Sequence, residues 1–85
     1  MQQNRKEYFM KELIKNYKVS CDMAKERIGE LLVQRRYFRK NNDSDSIRQL
    51  NLNRRIRLLY KEYCDMREII ESLEEYERSV SKRFH

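Results

Sequence analysis

The chain has 85 residues, of which 40% are charged and 39% hydrophobic, and its formal net charge is +6. That length leaves room for one domain with a small core, and a charge load this high excludes most compact mixed folds in favour of long solvated helices. A single glycine, no proline and no apolar run near the roughly 20 residues that cross a bilayer exclude a fold of many short elements and a membrane-spanning segment.

Residues 1–4 are polar and expected to fray. The first nine residues lack an apolar stretch after their charges, so secretion is not expected and a cytoplasmic protein is. From there Met10, Ile14, Tyr17, Cys21, Ala24, Ile28, Leu31 and Phe38 recur in alternating steps of four and three, with Arg35 filling one slot. Such steps return side chains to one face of a helix, whereas a strand needs a period of two. They predict a first helix over residues 5–40, about 54 Å long at 1.5 Å per residue. A break near Ser20 is the rival, because serine caps helices well and Asp22 suits a first turn, but the register runs across Ser20 unbroken. Gly29 lies off this seam.

Asn41, Asn42, Asp43, Ser44 and Asp45 are all turn formers, and they predict a turn at residues 41–45. Ser46 with Gln49 three residues on fits a capping box, so a second helix is expected over residues 46–82. Within it Leu52, Ile56, Leu59, Tyr63, Met66, Ile70 and Leu73 repeat the alternation without a miss, and the seam continues through Glu77 to Val80 and Phe84. Two such seams joined by a short linker predict an all-α antiparallel hairpin, coiled-coil-like, with residues 1–85 as one helical-hairpin domain. Charge favours the same direction. Five basic residues within 5–18 would lie beside seven acidic ones within 62–77. Leu13, Leu32, Ile69 and Tyr76 flank the seams and widen the apolar stripes, which predicts that two hairpins dimerise into a four-helix bundle through those four residues. A hairpin that keeps this face for a different protein is the alternative.

No chemistry-bearing motif stands out. There is no glycine-rich phosphate loop, no Gly-x-Ser-x-Gly elbow and no histidine except His85, so no catalytic residue, no metal site, no cofactor and no small-molecule substrate is expected, and the protein is read as a non-enzyme. Cys21 and Cys64 are too few for a disulfide framework and are expected as free thiols in a reducing compartment.

The distinctive feature is charge placement. Between positions 35 and 57 stand Arg35, Arg36, Arg39, Lys40, Arg48, Arg54, Arg55 and Arg57, against only Asp43 and Asp45. That surplus equals the formal charge of the whole chain, so the rest is near neutral. Folding about the turn gathers it at the hairpin tip. A cation cluster there suits phosphate backbones, since neutralising them releases condensed counterions, and Tyr37 could stack on unpaired bases. Phe38 occupies a seam slot and is expected in the core. An acidic protein surface is the alternative partner of the same tip.

The run from Ile69 through Leu73, Tyr76 and Arg78 to Arg83 and Phe84 resembles the helical region of phage and mobile-element transcriptional regulators of the ArpU and RinA type, with residues 47–85 taking part. In that family the region precedes a sigma-region-4-like helix-turn-helix. The sequence stops at His85, where that DNA-reading module would begin, so the resemblance implies the pairing or regulatory part without the recognition helix. The hairpin also resembles the small sporulation-pathway aspartyl-phosphate phosphatases, whose second helix carries Ser-Gln-x-x-Asp. Asn53, Arg54 and Arg57 stand in the corresponding places, so phosphatase activity is not implied. The expected function is therefore a small regulatory interaction module whose basic tip docks on nucleic acid or a nucleic-acid-associated transcription or defence complex. The alternative is a regulator that binds an acidic or signalling protein through the apolar flank and the tip, without nucleic acid.

Overall fold

A computed structural model describes the backbone of residues 2–83 and the side chains of residues 8–80. It contains three helices, α1 (Gln2–Lys40), α2 (Ser44–Gln49) and α3 (Leu52–Arg83), and no strand among the described residues. The two long helices pack antiparallel as an elongated hairpin with α2 as a short linker helix between them. The Cα trace measures 61 × 16 × 16 Å with a radius of gyration of 18.8 Å. A compact chain of this length would have a radius near 12 Å, so the molecule is a rod.

The two seams hold the rod together as their spacing predicts. Every seam position from Met10 to Phe38 and from Leu52 to Val80 is buried or half-buried, including the polar occupants Arg35 and Glu77. Phe84, the last predicted seam residue, lies outside the described residues. α1 is unbroken across Ser20, because the seam on both sides of that residue packs against one partner helix and a kink would take half of it out of register. It also begins at Gln2 and not at residue 5, since nothing in the first turn opposes helix.

Packing is concentrated in two clusters. Ile14, Cys21 and Ile70 form one, covered by Met10, Tyr17, Tyr63, Met66 and Leu73. Leu31, Leu52 and Ile56 form the other, beneath the tip, covered by Leu32, Phe38, Ile47 and Leu59. Leu52 and Leu31 are the deepest side chains, 0% and 1% exposed.

The second predicted helix needs correction. It does not run from 46 to 82 but is divided at Leu50 and Asn51, and Asn51 has a left-handed φ of 51°. The reason lies in the seam. Extended back from Leu52, its next slots fall on Gln49 and Asp45, which have nothing apolar to bury, whereas Ile47 is off the seam. Breaking the helix lets Ile47 fold back onto the Leu31–Leu52–Ile56 cluster. The capping box is corrected too. The N-cap of α2 is Asp43, whose carboxylate accepts from the Ser46 N–H at 3.1 Å and from the Ser46 hydroxyl at 2.6 Å. Ser46 is thus the answering residue, one turn into the helix.

α1 ends in a Schellman arrangement: the Asp43 N–H donates to the Phe38 carbonyl at 2.8 Å and the Asn42 N–H to the Arg39 carbonyl at 3.1 Å. Asn42 takes the left-handed φ of 56° that this stop requires, a conformation asparagine tolerates better than most residues. Asn51 repeats the device after α2, its N–H donating to the Arg48 carbonyl at 3.1 Å.

Charge pairing across the hairpin is sparser than the sequence suggests. Lys18 meets Glu74 at 2.9 Å, and Lys18 holds that carboxyl below the usual carboxylate range through the hydrogen bond and its charge. Arg27–Glu30 at 2.8 Å lies within α1, and no other ion pair forms among the described residues. Lys11 and Lys15 therefore make none there, and the side chains of Arg5 and Lys6 lie outside the described set. Exposed long side chains lose entropy on pairing and gain little from it, so the complementary segments set direction without many direct contacts.

Two substitutions check this account by chemical denaturation. Leu52→Ala should cost about 2–5 kcal/mol, because a fully buried leucine in a shared cluster leaves a cavity that α1 and α3 cannot close. Gly29→Ala should stabilise by about 0.5–1 kcal/mol, since an added Cβ meets nothing within 4 Å and the residue is mid-helix.

Candidate nucleic-acid interface

The corners at Asn42 and Asn51 place the basic residues of three elements around one end of the rod. Arg39 of α1, Arg48 of α2 and Arg54 and Arg57 of α3 line an open depression of about 470 Å³, together with Ser44, Ile47, Asn51 and Asn53. No carboxylate lines it. Asp43 is engaged as the cap of α2, and its hydrogen bonds from Ser46, the hydroxyl first and the N–H second, hold it below the usual carboxylate range. Asp45 is exposed and outside the depression.

The structure separates the eight predicted cations by role. Arg35 is half-buried in its seam slot while its guanidinium reaches the surface, where Nη1 donates to the exposed Asn53 Oδ1 at 2.9 Å and clasps α1 to the start of α3. Arg55 is half-buried as well, and its Nη1 donates to the Leu50 carbonyl at 3.4 Å, a long contact at the end of α2. Arg36 and Lys40 are exposed but do not line the depression.

Tyr37 is 63% exposed and Phe38 half-buried against the Leu31–Leu52–Ile56 cluster, as their register positions predict. Their rings meet edge to face at 5.6 Å between centroids, so Phe38 braces the tyrosine while leaving most of it in solvent. The sequence marks Ser44 only as a turn former and Asn53 only as a departure from the phosphatase motif, and it does not single out Asn51. Asn51 carried the only available signal, as a residue tolerant of left-handed φ set one place before a seam residue.

The predicted flank residues also divide. Leu32 packs on the tip cluster and Leu13 is half-buried, whereas Ile69 and Tyr76 are 39% and 59% exposed.

A second depression of about 440 Å³ lies midway along the rod, lined by residues of both signs including Lys18, Asp22, Lys25, Arg67, Glu71 and Glu74. Beneath it the buried Cys21 Sγ lies 3.9 Å from the Tyr63 carbonyl, while Arg67 donates to the Tyr63 hydroxyl at 3.2 Å. The Arg67 guanidinium is 5.9 Å from that ring's centroid, the outer limit for a cation–π contact, so the hydrogen bond is the stronger of its two contacts with Tyr63. Cys64 is exposed, and both thiols are free. Among the described residues no group of three or more His, Cys, Asp or Glu side chains is arranged to hold a metal ion, and no helix is long and apolar enough to cross a membrane.

A scan against protein-family models, a search of curated proteins and a search of solved structures each return no match to this chain.

The Asp43 cap gives a pH test of the tip. Its folded pKa is depressed, so the stabilisation is present at neutral pH and is lost as pH falls through the ordinary carboxylate range, near 4, toward the lower folded value. Asp43→Ala should lower the melting temperature at pH 7, and the difference from the unsubstituted protein should shrink as pH falls below the ordinary carboxylate range in thermal melts followed by circular dichroism.

Proposed function

We propose that the protein is a small non-enzymatic interaction module that docks its basic tip on the phosphate backbone of nucleic acid. The observation that carries this is the depression lined by Arg39, Arg48, Arg54 and Arg57 with no carboxylate beside them. Exposed cations without partners retain little that must be broken before a polyanion binds, and each phosphate they neutralise releases counterions. Tyr37 supplies a stacking surface at the same end.

Size limits how the tip engages a duplex. The rod is 16 Å across its Cα trace, before side chains are added, and the B-DNA major groove is about 12 Å wide. The tip then straddles phosphates and leaves base edges unread, so recognition is largely indifferent to sequence. A role beside a separate DNA-reading protein fits this geometry, and the resemblance of residues 47–85 to the helical region of ArpU- and RinA-type regulators agrees with it.

Binding should fall with salt at a log–log slope of about −3 to −4, corresponding to about four phosphates spread across the whole tip, including those met by the exposed Arg36 and Lys40 outside the depression. Duplexes of unrelated sequence should differ by less than a few-fold in titrations followed by fluorescence anisotropy. Reversing Arg39, Arg48, Arg54 and Arg57 to Glu should abolish binding with helicity unchanged, and neutralising Lys11 and Lys15 should leave it nearly intact. Absence of any duplex or single-strand binding at low salt would overturn the reading.

A second reading, an acidic or signalling protein as partner, is favoured by the exposed Leu58, Ile69 and Tyr76, which recur on α3 at steps of eleven and seven and so share one face. The same face supports the proposal that two hairpins pair into a four-helix bundle. Sedimentation should show a dimer at micromolar concentration, and Ile69→Lys with Tyr76→Lys should give a folded monomer.

A further inference from the structure

We propose that the tip depression is a built site for a compact oligophosphate, a chain of about three linked phosphates, either free or at the 5′ end of a nucleic acid. This rests on the reading of the tip as phosphate-binding, and it goes further by assigning the site a denser anion than the internal backbone supplies.

The first observation is the number of cations in one site. Four arginines drawn from three helices line one depression of about 470 Å³, a size within the roughly 300–1,000 Å³ usual for small-ligand sites. An internal nucleic-acid strand offers one charge per phosphate, at about 3.4 Å of helix axis each, so a concavity this small meets only one or two of them. A terminal triphosphate or free tripolyphosphate places about four charges in the same space. The match in charge density is with the linked chain.

The neutral residues point the same way. Arginine binds phosphate through several N–H donors in a fixed fork, and a dense anion has more oxygens than four forks alone need satisfy in one geometry. Asn53 lines the depression with its Oδ1 already accepting from Arg35, which leaves its amide N–H groups as donors. Ser44 and Asn51 add further polar groups to the lining. Of the two acids nearby, Asp43 is turned to Ser46, and Asp45, exposed in the first turn of α2, does not line the depression.

Geometry also explains why the cations gather where they do. α2 is the element that brings Arg48 to the depression, and it is held in place by the corners at Asn42 and Asn51 and by Ile47 on the tip cluster. A continuous second helix would have carried Arg48 past the end of α1. Like charges so assembled repel one another, and a bound polyanion relieves that repulsion, so binding should stabilise the fold as well as occupy the site.

The test is calorimetric titration of the intact chain with inorganic tripolyphosphate, against orthophosphate and sulfate at matched ionic strength, with melting temperature as a second readout. Tripolyphosphate should bind at least 30-fold tighter than either single anion and raise the melting temperature. Arg48→Ala, at an exposed position on α2, should weaken it at least ten-fold, and Lys61→Ala, exposed on α3 and outside the depression, should change it less than two-fold. An RNA oligonucleotide with a 5′-triphosphate should then be compared with the same oligonucleotide bearing a 5′-hydroxyl. A preference for the triphosphate end assigns the site to nucleic-acid termini, and equal binding alongside tight tripolyphosphate binding assigns it to the free oligophosphate. Tripolyphosphate binding no tighter than that of sulfate, or equal losses in the Arg48 and Lys61 variants, would overturn the proposal. If duplex binding survives that result, the nucleic-acid reading stands without it.

Discussion

Burial of Leu52 against Leu31 and Ile56 is the constraint on which the rest of the molecule depends. A side chain with no exposure at the first residue of α3 requires the chain to have turned fully before it, and α1 carries helix to Lys40. The intervening stretch must therefore reverse direction within eleven residues. It does so with two left-handed asparagines, each closing the carbonyls of the helix before it, and one short helix between them. Regular pairing of the seams follows from this anchor, since once Leu52 is seated every later seam residue through Val80 follows by alternating steps of four and three.

The same reversal sorts the charges. The corner asparagines are neutral, Asp43 is consumed by capping and Asp45 stays off the depression, so no carboxylate lines it beside the arginines. Along the body of the rod both signs occur on the surface, and among the described residues one bridge, Lys18 to Glu74, spans the helices. Fold and surface chemistry are thus supplied by different atoms: the seam gives cohesion through apolar contact, and the tip cations contribute almost nothing to it. Arg35 is the exception, being both a seam occupant and a tip cation, and its bond to Asn53 ties the two regions together.

Much of this was legible before any coordinates. Alternating steps of three and four fixed which residues face inward, and they also decided against a break at Ser20. The start of the second helix was misread because Ser46 and Gln49 satisfy a local capping rule that ignores what the helix would bury. Asking which residues fill the seam upstream of Leu52 exposes the error, since Gln49 and Asp45 leave the slots polar. The basic tip was visible as composition, but its division was not. Whether an arginine clasps a neighbour, as Arg35 does, or joins a depression, as Arg48 does, depends on where α2 points, and six residues of helix carry no periodicity long enough to reveal a direction.

The rod has one more consequence, which concerns reach. The described ends of α1 and α3, at Gln2 and Arg83, lie together at the end of the hairpin remote from the depression. Anything joined covalently to either end is therefore held away from the tip, and from any ligand the proposed function would place there, by nearly the full 61 Å of the molecule. Laid along a duplex, that interval corresponds to about 18 base pairs at 3.4 Å each. Such a hairpin behaves as a ruler: it sets a standoff that neither bending of a loop nor rotation of a side chain can shorten.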